Sequence, residues 1–286
     1  MPDVPIVDSH VHLWDPERFR MSWLDGNDLL NQRYGLDEYR QHTAGLPIAG
    51  MVYLQTEVEP PYALLEAQWV AALAKEEPRL QGIVAWAPLE DGDRARSFLD
   101  ALCPISPLVK GIRRIYQDEP MEFSTRSDFI RGVQLLPDYG LSFDLCIHHR
   151  HLENTIALVR QCPRTSFILD HIAKPDIAGH LLDPWREQML TLASFPNVQC
   201  KISGVVTEAE HRAWTIDDVR PFVEHALKVF GEDRVVFGGD WPVLLQAAPY
   251  RRWVETLDTI TQGNSTGARR KLWAGNARRF YRLPGV

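Results

Sequence analysis

The sequence predicts a single α/β domain, a (β/α)8 TIM barrel with additional C-terminal helices, spanning residues 1–286. Eight short apolar runs, each followed by a helical pattern, recur at about the 30-residue spacing of a βαβ unit. The runs lack alternation of polar and apolar residues, as is typical of strands buried on both faces of a parallel sheet. No linker or low-complexity segment divides the chain, and its length is close to the roughly 250 residues usual for this fold.

The first half of the chain contains four predicted strands, four helices and one long loop over residues 15–35. Proline at 60 and 61 suits the first turn of a helix. The strands are predicted within 6–14, 49–55, 82–87 and 109–115, and the helices over 36–43, 60–77, 93–102 and 128–136.

The second half repeats this alternation. Gly231 is expected to end one helix, because glycine adopts the left-handed conformation that closes a helix. The strands are predicted over 141–147, 166–170, 198–202 and 234–238. The helices are predicted over 151–161, 184–195, 216–230, 250–261 and 268–281, the last two following the eighth strand.

Composition restricts the class of protein. A formal net charge of -7 and a pI near 5.8 argue against a nucleic-acid partner. No apolar run approaches the roughly 20 residues that span a bilayer, so no membrane partner is predicted. Four cysteines without a Cys-x-x-Cys pair, and no apparent signal peptide, favour a reducing, cytoplasmic compartment. The sequence leaves open whether the chain forms a homodimer.

The first strand carries the motif around which the site is predicted. His10 and His12 are two residues apart, so on a strand they point to the same face. Two imidazoles on one face can bind a divalent metal, or they can polarise a water or a substrate oxygen. Taken alone, this motif would fit a solvated strand end equally well.

Polar residues collect where the other predicted strands end, which is the edge at which β/α barrels build active sites. His171 and Asp240, together with His10 and His12, form a plausible set for one metal with room for a water. Asp240 could instead act as a general base. The remaining strand-end residues are Gln55, Glu57, Arg113, Arg114, His148, His149, Asp170, Lys201, Ser203 and Trp241.

Strand alternation indicates which neighbours face the site. It favours His148 over His149, and it places Asp170 on the face opposite His171, which suits a buried structural partner. Lys201 fits two roles, an ion pair inside the barrel or a contact with substrate.

Trp14 and Trp241 also have two interpretations. Most tryptophans belong to the core. These two follow His12 and Asp240 closely, so they could instead wall a pocket and stack on a sugar face.

Five segments, in this order, resemble the amidohydrolase superfamily. More narrowly they resemble its amidohydrolase-2 branch of lactonases, which includes L-fuconolactonase-like, L-rhamnonolactonase-like and pyrone-dicarboxylate lactonase enzymes. The resemblance extends over the whole chain. The segments are VDSHVHLW (7–14), LDHIAKP (169–175), KISG (201–204), FGGDWP (237–242) and GNARRFY (275–281).

The resemblance implies that Asp240 activates water, while the three histidines polarise the lactone carbonyl or bind a metal. It implies a substrate contact for Arg113, which matches the family's Gly-hydrophobic-Arg motif. Strand parity instead favours Arg114, so both remain candidates. No lysine stands at the end of the fourth strand to carry a carbamate. One divalent metal such as zinc, or no metal at all, is therefore favoured over two.

The leading functional hypothesis is hydrolysis of a sugar-acid lactone, L-fucono-1,5-lactone or a similar aldonolactone, in carbohydrate catabolism. Neighbouring aromatic residues and a single arginine pair favour a neutral lactone over an aromatic diacid. A zinc-dependent non-oxidative decarboxylase of the same superfamily is the second hypothesis. The third is a barrel that binds a sugar acid without catalysis.

Overall fold

The computed structural model describes residues 1–285 and confirms the predicted barrel. Its eight strands form one parallel sheet in sequence order. Their bounds agree with the predicted runs to within a few residues. The strands are β1 (Ile6–Val11), β2 (Ile48–Leu54), β3 (Leu80–Ala85), β4 (Val109–Ile112), β5 (Ser142–Leu145), β6 (Phe167–Leu169), β7 (Val198–Ile202) and β8 (Val235–Phe237).

The sheet curls so that its first and last strands meet. The Ser9 hydroxyl donates to the Phe237 carbonyl at 2.6 Å, and Val11 forms a parallel bridge with Trp241. The amide of Asp240, three residues after β8, donates to the carbonyl of His10 in β1 at 2.8 Å. This seam between β1 and β8 therefore joins two of the predicted site residues through the backbone.

Helices follow the strands and pack their apolar faces against them. In the seventh helix, Val219, Phe222 and Val223 are buried on one face. The helices are α1 (Leu36–His42), α2 (Ala63–Glu76), α3 (Ala95–Leu102), α4 (Ser127–Leu135), α5 (Leu152–Gln161), α6 (Trp185–Ala193), α7 (Ile216–Phe230), α8 (Tyr250–Thr261), α9 (Thr266–Arg270) and α10 (Asn276–Tyr281). The helix predicted over 268–281 is interrupted by a π-helical turn, Lys271–Gly275.

The last helix, α10, and the residues that follow it close one end of the barrel. Phe280 and Leu283 pack against inward-facing strand residues such as Val52 and Val236. Leu283 also lies over Gly82, near the start of β3, which places this plug at the N-terminal ends of the strands. The opposite end, where the strands finish, is left to form the site.

The loop predicted over residues 15–35 crosses the end of the barrel at which the strands finish. Trp14 and Tyr34 bridge its two ends in an antiparallel pair, and a short 3₁₀ turn, Ser22–Leu24, interrupts it. The Trp23 indole donates to the Thr56 carbonyl at 2.7 Å, which holds the loop against the residues after β2.

Two further findings concern the helices and the cysteines. Within residues 1–285, none of the helices combines the length and apolar character required to cross a bilayer. The four cysteines are all free, and three of them are buried.

Candidate active site

A cavity of about 320 Å³ opens at the C-terminal ends of the strands. Its lining combines three of the four predicted catalytic residues with residues from the 15–35 loop and the turns after β4 and β6. The lining residues are His12, Trp14, Ser22, Trp23, Thr56, Glu57, Arg113, Ile115, Gln117, Asp118, Cys146, His171, Lys174, Asp240 and Val243.

The Asp240 carboxylate lies at the centre of three imidazoles. Its Oδ1 is 3.5 Å from Nε2 of His10, 3.5 Å from Nε2 of His12 and 3.9 Å from Nε2 of His171. The two Nε2 atoms of His10 and His12 are 3.2 Å apart. The structure therefore brings together the four residues that the sequence predicts as catalytic, with His10 completely buried behind the others.

Two glycines allow this close approach. A Cβ atom on Gly204, which has a φ of +58°, would lie 2.5 Å from both Asp240 Oδ2 and His171 Nδ1. A Cβ on Gly239 would lie 2.6 Å from Asp8 Oδ2. Asp8 accepts the Gly239 amide hydrogen at 2.7 Å and so fixes the backbone just before Asp240.

Hydrogen bonds orient the imidazoles. The Nδ1–H of His12 donates to the Leu54 carbonyl at 2.8 Å, and Nδ1 of His171 is 3.0 Å from the Ser203 hydroxyl. Nδ1 of His10 faces the Asp170 carboxylate at 3.5 Å. The Leu54 carbonyl accepts the hydrogen on Nδ1 of His12, and the Arg113 guanidinium can only donate to Nε2 of His10, so both Nε2 atoms carry lone pairs.

The prediction that Asp170 and His171 face opposite ways is wrong. β6 ends at Leu169, and residues 171–174 all have left-handed backbone conformations, with φ of 54° at His171. Strand parity does not apply to such a turn. As a result both side chains reach His10: the His10 and His171 rings are 4.4 Å apart, and Asp170 contacts Nδ1 of His10.

Beneath His10 lies a fully buried ionic layer. Lys201 Nζ is 2.6 Å from Asp144 Oδ2 and 2.8 Å from Asp170 Oδ1. The Tyr281 hydroxyl, from α10, donates to Asp144 at 2.6 Å. These contacts compensate charges that burial would otherwise make very costly. Asp170 is thus the structural partner that the sequence favoured, and Lys201 takes the ion-pair alternative, away from the cavity.

Arg113 connects this layer to the cavity. Its Nη1 lies 3.6 Å from Asp170 Oδ2 and donates to His10 Nε2 at 3.2 Å, while Nη2 donates to the Gln55 carbonyl at 2.5 Å. Arg114 points elsewhere and pairs with Glu90 and Glu119. β4 ends at Ile112, so the parity that favoured Arg114 stops before the arginines are reached.

Two other predicted contacts lie outside the cavity lining. Trp241 is fully buried and packs edge-on against Tyr34 and Tyr39. Of its two predicted roles, it therefore has that of a core residue. His148 is half-buried and is not among the residues that line the cavity. Trp14, in contrast, does line the cavity.

Sequence reasoning missed several lining residues. Gln117 and Lys174 form one wall, where the Lys174 ammonium donates to Gln117 Oε1 at 2.6 Å. Trp23 and Ser22 come from the 15–35 loop. The length of that loop was the available signal, because long loops without secondary structure of their own are often functional.

Burial sets the protonation states. It lowers the pKa of His171 to about 4 and also lowers the pKa values of His10 and His12. Burial opposes ionisation of Asp240, but the adjacent imidazoles of His171, His12 and His10 outweigh it and hold the pKa of Asp240 below its ordinary value. At neutral pH the site therefore combines a carboxylate with neutral imidazoles.

The donor set fits a single divalent metal. His10 Nε2, His12 Nε2 and an Asp240 oxygen lie within 4.8 Å of one another, and imidazole with carboxylate is a usual zinc set. Two lone-pair nitrogens 3.2 Å apart repel each other unless a cation lies between them. Arg113 Nη1, which donates to His10 Nε2, would compete for that atom.

Known proteins resemble this chain over almost its whole length. The Amidohydrolase family model matches residues 7–283. The chain is 29% identical to an L-fucono-1,5-lactonase of Burkholderia multivorans, covering 97% of this chain and 96% of the relative. It is 24% identical to an L-rhamnono-gamma-lactonase of Scheffersomyces stipitis, covering 99% and 100%.

Among solved structures, a zinc-bound amidohydrolase from Burkholderia multivorans superposes with a TM-score of 0.88 at 28% identity, covering 98% of this chain and 100% of that one. The family match extends over nearly all of the described residues and includes the barrel from the second residue of β1 to the end of β8. The chain therefore belongs to the Amidohydrolase family, as its sequence motifs predicted.

Proposed function

We propose that this protein hydrolyses the ester bond of a sugar-acid lactone, L-fucono-1,5-lactone or a similar aldonolactone, to the open acid. The observation that carries the proposal is the ionised Asp240 carboxylate, held 3.5–3.9 Å from three imidazole nitrogens in the cavity floor. The lactonase names of two relatives support the same reaction class. The four free cysteines support a reducing, cytoplasmic compartment, and the sugar-lactonase names of the relatives support a role in carbohydrate catabolism.

The residues can carry out the reaction as follows. Asp240 accepts a proton from a water as the water oxygen bonds to the lactone carbonyl carbon. Arg113, whose guanidinium lines the cavity, donates to the carbonyl oxygen as negative charge develops there. The carbon–oxygen ring bond then breaks, and Asp240 returns its proton to the leaving ring oxygen. At neutral pH the new carboxylic acid ionises and releases one proton.

A weakly basic carboxylate benefits from an additional source of activation. Asp240 is a weak base because its pKa is lowered. A divalent ion such as zinc would be held by His10, His12 and Asp240, and when bound it lowers the pKa of water and polarises a carbonyl. Trp14 is proposed to form an apolar wall beside the lactone, and Arg113 to orient it.

Proton release in a weakly buffered indicator assay tests the proposal. The enzyme is incubated with L-fucono-1,5-lactone and L-rhamnono-1,4-lactone, before and after treatment with a chelator. We expect acid release from at least one lactone. If the enzyme hydrolyses none of the lactones but takes up protons when it is incubated with a dihydroxybenzoate, it is a decarboxylase instead. Binding of an aldonic acid without any turnover would indicate a sugar-acid binding protein.

A further inference from the structure

Glu57 is held in an unusual conformation at the edge of the cavity. It follows β2 and has a φ of 52°, which non-glycine residues rarely adopt. The Gln55 side chain fixes it from both directions: Nε2 donates to Glu57 Oε1 at 2.7 Å, and Oε1 accepts the Glu57 amide hydrogen at 2.5 Å. Strained conformations that the surrounding structure holds in place cluster at functional sites.

The Glu57 carboxylate has no cation of its own. Within residues 1–285, no basic side chain lies within 4 Å of it, although two arginines are nearby. Arg113 is engaged with His10, Asp170 and the Gln55 carbonyl, and Arg114 with two other glutamates. Gln55 occupies one Glu57 oxygen, and no group among the described residues donates to the other. A half-buried carboxylate facing the cavity thus retains a free acceptor.

An indole lines the same cavity as this acceptor. Trp23 is tied to the same turn through its bond to the Thr56 carbonyl. It packs edge-on against Trp14 with ring centroids 5.3 Å apart, and it remains 41% exposed although it lines the cavity. A flat apolar face and a free carboxylate in one cavity match a sugar ring, which has C–H groups on one face and hydroxyl donors at its edge.

We propose that Glu57 accepts hydrogen bonds from the hydroxyl groups of a neutral polyhydroxylated lactone, and that it is a specificity-determining residue of this site. The inference rests on the proposed lactone hydrolysis and adds the chemistry by which the substrate is selected. A lactone without hydroxyls gains nothing from Glu57. A lactone that carries a carboxylate is repelled by it.

Glu57→Gln tests this inference on two lactones, L-fucono-1,5-lactone and δ-valerolactone, which has no hydroxyls. Glu59→Gln is the matched control, since Glu59 lies in the same loop and its side chain is 46% exposed. We expect Glu57→Gln to lower kcat/KM on the hydroxylated lactone by about 10- to 100-fold, mainly through KM, because a charged acceptor is replaced by a neutral one. On δ-valerolactone we expect a change of less than about threefold.

Equal losses on both lactones, or no loss on either, would overturn the role of Glu57 and leave the hydrolase intact. No hydrolysis of either lactone by the unchanged chain would overturn the proposed function, and the inference with it.

A second measurement needs no variant and remains available if Glu57→Gln does not fold. The unchanged chain is assayed with lactones that carry a carboxylate. They should be hydrolysed at least about 10-fold less efficiently than the neutral lactone at low ionic strength, and added salt should narrow the gap. A preference for the carboxylated lactones would contradict the proposal.

Discussion

Lys201 Nζ lies 2.8 Å from Asp170 Oδ1, and through this ion pair β7 fixes the carboxylate that faces Nδ1 of His10. Both side chains are completely buried. A second carboxylate, that of Asp144, lies 2.6 Å from the same ammonium. One lysine therefore compensates two buried acids directly below His10.

Removing this lysine should destabilise the fold. Lys201→Met leaves Asp144 and Asp170 without their common cation, so we expect the free energy of unfolding to fall by about 3–5 kcal/mol. Urea denaturation measures this. The exposed Lys75→Met is the control and should change it by less than about 0.5 kcal/mol. Equal stability of the two variants would mean that the buried layer contributes little.

Asp240→Asn should abolish most of the activity without unfolding the protein. The amide keeps the shape of the side chain but cannot accept the proton of the attacking water. We expect kcat for the best lactone to fall by about 10²- to 10⁴-fold, with near-ultraviolet circular dichroism unchanged. Retention of more than a tenth of the activity would exclude Asp240 as the base.

Zinc binding tests the ligand set independently of catalysis. We expect the chelator-treated chain to bind one equivalent of zinc in a competition titration with a chromophoric chelator. His12→Ala should weaken the affinity at least tenfold, about 1.4 kcal/mol, because it removes one converging nitrogen. His211→Ala, on the surface, should leave the affinity unchanged. If both variants bind zinc equally, the ion lies elsewhere.

Acidification should destabilise the protein partly through His171. Its pKa is about 4 in the folded chain and 6.5 ordinarily, so between these values the unfolded state binds more protons. The contribution of His171 to the free energy of unfolding is then complete above about pH 6.5. It is lost as the pH falls through 4, and the loss amounts to about 3 kcal/mol in total.

Urea unfolding of His171→Asn at several pH values measures that contribution. The variant should lose less stability than the unchanged chain between pH 6.5 and 4.5. His180→Asn, an exposed control, should keep the full pH dependence. Parallel curves for His171→Asn and the unchanged chain would show that His171 does not titrate as described.

Local pattern predicted the parts of the site that lie on β1 and directly after it. The period of two placed His10 and His12 on one face, and both reach Asp240. The same rule failed where a strand had already ended, as at His171 with its left-handed turn and at Arg113 after β4. Parity describes an extended backbone, and several residues that line the cavity lie just beyond it.

Tertiary contacts position the cavity residues that the local pattern did not predict. Trp23 reaches the cavity because its indole bonds to the Thr56 carbonyl, in a turn that follows a different strand. No local pattern encodes such a contact, so the 15–35 loop could be recognised as functional but not positioned.

The seam between β1 and β8 has a consequence for how activity appears during folding. His10 and Asp240 are 230 residues apart in sequence, yet the Asp240 amide donates directly to the His10 carbonyl. Contacts of such long range form late, because they need the largest loop closure. A refolding chain can regain its helices while the barrel is still open, and such a species would be inactive. Hydrolytic activity therefore reports ring closure, which spectroscopic helix content alone does not.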